Sequence, residues 1–340
     1  MTVSIKDVAR AAGVSPATVS RVLGNGPVSA ALREQVEAAI RATGYRPNLS
    51  ARRLRSQHSQ TIGLVVADIR NPFFTSVARA VETVAYDAGM RVILCNTDED
   101  PAREAMYLRL MQEERVTGLI FAPTRVGADT LRRQPVDVPA VLIDRTGPAG
   151  LFDAVVLDNR GAAQALVDHL VERGYRRIGG LFGATSSTGL ERQEGYLAAM
   201  ARHGLTPAVR FVPPQAEVSE PAVRDWLGQA DRPEALVTSN SLLLAGAVRV
   251  ARGLGLRIPA DLALAGFDNE PWTGLVDPGL TVIEQPTEEM GRQAMQLLFD
   301  RLHQPDAAVR TVVLSGRCVL RDSTAARSAV TASAVAASAS

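Results

Sequence analysis

Residues 4–23 read SIKDVARAAGVSPATVSRVL, a stretch that predicts two short helices joined by a tight turn. Ser4 stands three residues before Asp7, the spacing of a capping box at a helix start. Ile5, Val8, Ala9 and Ala12 recur at helical intervals on one face, and Gly13 supplies the stop, where a left-handed residue is usual. Val14 is an apolar plug in the turn. Ser15 caps a second helix whose first position is Pro16, where a missing N–H costs nothing. Val19, Val22 and Leu23 face back onto the first helix. Pro16, Ala17, Thr18, Ser20 and Arg21 are left pointing outward, and all are small, polar or basic.

A helix-turn-helix seats such a face in the major groove of DNA. Arg21 can make the paired contact to guanine, while Ser15, Thr18 and Ser20 suit phosphate oxygens. Taken alone, the stretch also fits an ordinary helical hairpin. The charge distribution favours DNA. The 340 residues carry a net charge of +1. Residues 1–60 hold nine basic side chains against three acidic ones, a net of +6, which leaves −5 for the remainder. A basic end on a mildly acidic body is an electrostatic footprint for nucleic acid at one end only.

Further along, a third helix is expected from about Ser29 to Thr43, ending at Gly44, with Leu32, Val36 and Ile40 as its apolar stripe. Then comes YRPNLSARRLRSQHSQ, residues 45–60. Pro47 blocks continuation, Asn48 can cap, and Leu49 to Arg55 allow less than two turns of helix, too short to be stable alone in water. Arg52, Arg53 and Arg55 crowd this segment with like charge. Two readings stand: a solvated linker, or a segment that folds only against DNA, with arginines on phosphates and Leu54 as an apolar wedge in the minor groove.

From Thr61 the pattern changes. TIGLVVA, RVILC, GLIFA, AVLID, AVVLD, RIGGLF, ALVTS and LALAGF alternate with amphipathic stretches at 74–88, 102–114, 160–173, 190–203, 241–253 and 287–303. Apolar runs of this kind between helices predict parallel strands buried on both faces, in doubly wound α/β sheets. Their number fits two sheets better than one, with late strands near 281–284, 310–314 and 317–320 crossing between the halves. Cys95 and Cys318 offer neither a disulfide framework nor metal spacing. The chain starts on a capped helix with no apolar signal region and holds no run of membrane-spanning length, so a cytoplasmic protein is expected.

Catalytic patterns are missing. There is no G-x-x-x-x-G-K-[ST] loop and no G-x-S-x-G elbow. Gly253 and Gly255 begin a dinucleotide fingerprint, but its third glycine is absent. His58, His169, His203 and His303 are scattered. Asp98, Glu99 and Asp100 directly precede Pro101 and a helix, where negative charge stabilises the N-terminus, so they read as helix-start residues and not as a metal site. No catalytic residue, metal or cofactor is expected.

In order and spacing, several motifs together resemble the lactose-repressor (LacI/GalR) family of transcriptional regulators over residues 2–322. They are IKDVARAAGVSPATVSRVL, VSAALREQVEAAIRATGYRPN with the following SARRL, IGLVVADIRNPFF, LCNTDEDP, RVTGLIFAP, VLIDR, RQEGY, LGLRIPADLALAGFDN and LTVIEQP. The resemblance implies a small all-α helix-turn-helix headpiece (1–46), a hinge helix and linker (47–60), and an effector-binding and dimerisation domain (61–322). That domain would comprise two doubly wound parallel-sheet subdomains of the periplasmic-binding-protein type. The N-subdomain would span about 61–158 with 287–314, and the C-subdomain about 159–286 with 315–322. Residues 323–340 are low-complexity Ala and Ser and read as a disordered tail. They hold no leucine heptads, so a homodimer is expected and not a coiled-coil tetramer.

Carried over residue by residue, the resemblance assigns DNA contacts to Ser15, Pro16, Ala17, Thr18, Ser20, Arg21 and Asn25, with Ala51 and Leu54 in the hinge. Pro16 and Ala17 occupy positions that usually carry sequence choice. Neither side chain donates a hydrogen bond, so readout there would be apolar and Arg21 would carry more of the base recognition. The effector cleft would lie between the subdomains. Phe73 and Phe74 would wall one side, Arg192, Asn240 and Asp268 would bring polar groups from the other, Asp144 and Arg145 are weaker candidates, and Trp272 would stack on a sugar face.

Two departures bear on the effector. The usual Asn-Asp pair is Asn240-Ser241, and the stretch VPPQAEVSEPAV, 212–223, lacks an aromatic that many members place against the ligand. The implied protein is a repressor of carbohydrate-metabolism genes, binding a near-palindromic operator and answering to a sugar or sugar derivative. A purine or nucleoside effector, a protein partner in place of a small ligand, and a solute-binding receptor are the alternatives.

Overall fold

In the computed structural model, which describes residues 3–24, 26–45, 59–131 and 136–326, three helices span Ile5–Ala11, Pro16–Leu23 and Ala30–Thr43. The Asp7 carboxylate accepts from the Ser4 backbone N–H at 2.9 Å and from its hydroxyl at 2.7 Å, which fixes the first helix start. Gly13 takes the left-handed conformation, with φ of 62°, and lets the chain turn where a Cβ would be strained. Ser15 Oγ accepts from the Thr18 N–H at 3.1 Å. Val8, Ala9, Val19, Val22 and Val36 form the headpiece core, with Ile5, Val14 and Ile40 packed around them. Gln35 donates to the Ala12 carbonyl at 2.9 Å and ties the third helix to the first.

The chain divides into two compact units, one ending at Ser59 and the other starting at Gln60. In the second unit the strands are β1 Thr61–Val66, β2 Arg91–Asn96, β3 Gly118–Phe121, β4 Ala140–Ile143, β5 Asp153–Leu157 and β6 Ile178–Gly183. They continue with β7 Ala208–Val212, β8 Ala235–Thr238, β9 Ala263–Phe267, β10 Thr281–Glu284, β11 Thr311–Leu314 and β12 Arg317–Val319. Two six-stranded sheets result, in the orders β11-β5-β4-β3-β1-β2 and β12-β10-β9-β8-β6-β7. All pairings are parallel except that of β12 with β10. The apolar runs explain this: β1, β3, β4, β5, β6, β8 and β9 are buried along their whole length, as strands covered by helices on both faces must be.

The chain passes between the sheets three times: from β5 into the helix Asn159–Glu172, from β10 into the helix Thr287–His303, and from β11 to β12. Met290, Ala294, Met295 and Leu298 of the helix Thr287–His303 pack into the core under the first sheet with Phe73, Phe74 and Val77. Ala163, Leu166 and Leu170 of the helix Asn159–Glu172 pack under the second with Tyr196 and Phe267.

Some elements escape the sequence patterns. The strand β7 is exposed at most positions, so it lacks an apolar run. The helix Ala216–Leu227 carries Pro221 within it, which masks its periodicity. The boundary drawn before residue 323 needs correction. Ser323 and Thr324 sit in a short 3-10 turn and are buried. Ser323 Oγ accepts from the Thr281 N–H at 2.8 Å and donates to the Leu264 carbonyl at 2.6 Å, while the Tyr175 hydroxyl donates to the Ala325 carbonyl at 2.9 Å. Composition alone could not show that these small polar side chains complete the second sheet's hydrogen bonding. No helix among the described residues is long and apolar enough to cross a membrane.

Candidate functional site

The headpiece presents its second helix as a polar ridge. Ser15, Pro16, Ala17 and Arg21 are exposed and Thr18 and Ser20 half-buried, while Val19 and Val22 point into the core. Ser15 serves the fold as well as the surface, since its hydroxyl also shares a 2.9 Å hydrogen bond with that of Thr18. Two exposed turns of helix with small side chains at the front leave room for the backbone to approach a groove, with the Arg21 guanidinium available to base edges. Asn25, Ala51 and Leu54 lie outside the described residues.

The second candidate site is a cleft between the two sheets. Almost every group in it leaves the carboxyl end of a parallel strand, where such folds place ligands. Asp68, Asn71, Phe73 and Phe74 follow β1, Glu99 follows β2, and Asp144 and Arg145 follow β4. From the other sheet, Ser239 and Asn240 follow β8, Asp268 follows β9, and Gln285 follows β10. Arg192 reaches in from the helix Ser187–Arg202. Phe73 and Phe74 meet edge to face, 5.1 Å between centroids, and belong both to the cleft wall and to the core behind it.

The charged groups are held tightly. Arg145 and Glu99 form a two-armed ion pair, each side chain less than a tenth exposed, and Arg145 Nη1 also donates to the Pro123 carbonyl at 3.1 Å. Burial pulls the Arg145 guanidinium down, but the surrounding carboxylates, Glu99 foremost with Asp144 and Glu104, together outweigh it and hold the group above its ordinary range. The Arg192 guanidinium carbon lies over the Phe267 ring, 3.9 Å from its centroid. Its Nε donates to Asn159 Oδ1 at 2.8 Å and its Nη1 to the Ser239 carbonyl. Burial lowers its pKa, while Asp268 and Asp144 pull the other way. Burial also pushes the Asp144 carboxyl up to about 6, against the pull of Arg145 and Arg192. Asp268 accepts from the Ser241 N–H at 3.0 Å and from Gln285 Nε2 at 2.6 Å.

The cleft is nearly shut. The space among these groups is about 40 Å³, room for roughly one water molecule, whereas small-ligand sites run to several hundred. Two hydrogen bonds cross it: Ser241 Oγ to Asn71 Oδ1 at 3.4 Å, and the Arg125 N–H to the Thr185 carbonyl at 3.2 Å. Admitting a sugar-sized molecule therefore requires the sheets to part. A wider cavity of about 580 Å³ adjoins the cleft and shares Phe73, Asp268 and Gln285 with it. Its arginines, Arg292 and Arg317, are paired with Glu289 and Glu284.

The expected cleft residues Phe73, Phe74, Asp144, Arg145, Arg192, Asn240 and Asp268 all line this one space. Trp272 does not, which corrects the expectation that it stacks on a ligand. It packs instead against the apolar cluster containing Leu243, Leu244 and Leu280. Asn240 caps the helix Ser241–Gly253 through the Leu243 N–H at 2.8 Å, and from the stretch 212–223 it is Pro214 that lines the cleft. Asp68, Asn71, Glu99 and Gln285 were not anticipated, although each stands just beyond a strand end, a signal the sequence carries. Of the acidic run, Asp100 caps the helix Pro101–Glu113 as expected, but Glu99 turns into the cleft. Among the described residues, no group of His, Cys, Asp and Glu is arranged to hold a metal ion.

Comparison with known proteins adds to this geometry. Residues 4–48 match the family of bacterial regulatory proteins, lacI family, and residues 167–324 match a periplasmic binding protein-like domain. The chain is 33% identical to the HTH-type transcriptional regulator KdgR of Bacillus subtilis, over 94% of this chain and 97% of that one. It is also 33% identical to the ribose operon repressor of Escherichia coli K12, over 89% and 94% respectively. The lac repressor dimer bound to operator and the anti-inducer ONPF superposes with a TM-score of 0.85 at 25% identity, covering 96% of this chain and all of that one.

Proposed function

The chain belongs to the lacI family of bacterial regulatory proteins, whose members are DNA-binding transcriptional regulators and not enzymes; from that premise we propose that it represses carbohydrate-metabolism genes in the cytoplasm under control of a sugar-like effector. The observation that carries this reading is the cleft itself. Asp144, Arg192, Asn240 and Asp268 converge beside Phe73 and Phe74 at the carboxyl ends of two sheets. Carboxylates and a guanidinium can each bind neighbouring hydroxyls through two hydrogen bonds, and the aromatic wall suits the apolar face of a sugar ring. The similarity to the ribose operon repressor supports the same class.

Ligand and operator would be coupled through the opening and closing of the cleft. Two copies of the chain would place their second helices, with Ser15, Pro16, Ala17, Thr18, Ser20, Arg21 and Asn25, in successive major grooves of a near-palindrome. The hinge segments carrying Ala51 and Leu54 would order together in whichever cleft state holds them at the right separation. A ligand that binds one cleft state better then shifts operator affinity by the same factor as operator shifts ligand affinity.

The test is selection of bound fragments from genomic DNA, with and without a panel of sugars and nucleosides. A near-palindrome whose recovery changes with a sugar is expected. A response to nucleosides alone would replace the sugar class, and no enriched site at low salt, where phosphate contacts are strongest, would remove the DNA-binding assignment of these residues. On the selected site, Arg21→Ala should weaken binding by about 1–3 kcal/mol, the worth of a good base contact, with no change in the thermal midpoint of the headpiece.

A further inference from the structure

We infer that the cleft is built for an uncharged, hydroxyl-rich molecule and rejects the phosphorylated and carboxylated forms of that molecule. The inference rests on the small-effector reading above and narrows its ligand class. It follows from how the charges in the cleft are already matched.

Four carboxylates line the space, those of Asp68, Glu99, Asp144 and Asp268, against the two guanidiniums of Arg145 and Arg192. Asp68 is answered from outside the lining by Arg70, whose Nε and Nη2 each lie 3.0 Å from a carboxylate oxygen. Arg145, the cation nearest to Glu99, is locked to it by both arms. Arg192 spends Nε on Asn159 and Nη1 on the Ser239 carbonyl, and the charges of Asp268 and Asp144 both act on it. Even counting Arg70, which is half exposed and shared with Asp98, the set holds one carboxylate more than guanidiniums.

A ligand phosphate or carboxylate would add negative charge where carboxylates are already in surplus. Arg145 could meet it only by giving up Glu99. Arg192, with Nη2 alone not committed to Asn159 or Ser239, would have to share its charge with Asp268 and Asp144, which already act on it. An unmatched charge in a dry site is strongly disfavoured. Asp144, already hard to ionise in its buried setting, would be pressed further by a second anion. Hydroxyl groups meet the same walls without conflict. They donate to Asp144 and Asp268 and accept from the Arg192 guanidinium, leaving the charge count as it is.

The experiment uses the full chain on its selected operator fragment, read by fluorescence anisotropy and by thermal midpoint. A small-molecule extract of bacterial cells is separated by ion exchange into neutral, anionic and cationic fractions, and each is applied. Matched pairs follow: D-ribose with ribose 5-phosphate, D-glucose with glucose 6-phosphate and gluconate, and adenosine with adenosine 5′-monophosphate. The neutral fraction should change both readouts, and the charged form of any active neutral compound should bind roughly a hundredfold more weakly, the scale of an unpaired buried charge. Activity in the anionic or cationic fraction, or a charged form that binds as well as its neutral partner, overturns the inference while leaving the small-effector reading intact. Inactivity of all three fractions and of the pairs overturns the small-effector reading, and this inference with it.

Discussion

Asp144 and Asp268 stand at matching places in the two sheets. One follows β4 and the other β9, each the third strand in its sheet's order. Both adopt a left-handed backbone, with φ of 67° and 76°. Both N–H groups reach the next strand over, Asp144 to the Val155 carbonyl at 2.9 Å and Asp268 to the Ile283 carbonyl at 2.8 Å. Yet their carboxyl groups live differently. Asp268 receives two donors at hydrogen-bond distance, while Asp144 has Arg145 Nε at 3.4 Å and a pKa pushed up by burial to about 6. The same backbone device can hold a fixed acceptor on one wall and a group near its titration point on the other. What surrounds the carboxyl decides which.

Substitutions can break this contrast. The largest effect is expected for Asp268→Ala, which strands the Ser241 N–H and the Gln285 amide in a buried place and leaves Arg192 less compensated. Loss of about 3–5 kcal/mol in urea unfolding of the second unit is the expected result. A cost under about 1 kcal/mol would mean that Asp268 is no better anchored than Asp144.

Asp144→Asn should act in the opposite direction. Because burial raises the folded-state pKa from 3.8 to about 6, the folded chain keeps a proton that the unfolded chain has released between those values. Stability contributed by this group therefore falls as pH rises through that window and stays low above it. Removing the carboxyl should stabilise the protein at pH 8 by on the order of 3 kcal/mol, with the gain shrinking towards zero by about pH 4. Urea midpoints of the two proteins across that range check it. A gain that persists in acid would assign the effect to something other than titration.

The smallest effect sharpens the contrast from outside. Ser15→Ala removes an exposed helix cap in the headpiece and should cost about 1 kcal/mol there, leaving the urea midpoint of the second unit unchanged. Circular dichroism of the headpiece transition reads it directly.

How much of this was legible in the sequence depends on the range of the signal. Capping at Ser4 and Ser15, the stop at Gly13 and the buried strands are local, because propensity, cap chemistry and apolar runs act over a few residues. The strand-end residues Asp144, Asn240 and Asp268, and Arg192 on its helix, were reached through motif resemblance. What stayed hidden was pairing across the chain. Glu99 and Arg145 are 46 residues apart, and nothing near Glu99 distinguishes it from its neighbours Asp98 and Asp100. Trp272 misled because an aromatic after GFDNEP fits a ligand platform as readily as the apolar cluster it joins. At Ser323 and Thr324, low complexity concealed side chains that complete hydrogen bonding with residues some forty positions earlier.

The placement of β11 and β12 has a consequence for synthesis. Each forms the edge of a different sheet, and the helix Thr287–His303 covers the first sheet's core. Neither sheet can therefore be completed until the ribosome has passed residue 314 for one and 319 for the other. The headpiece, whose three helices end at Thr43, needs nothing made later than Tyr45 for its core. During translation it can close early, while both halves of the second unit wait together for the same short stretch of nascent chain, holding open sheet edges until it arrives.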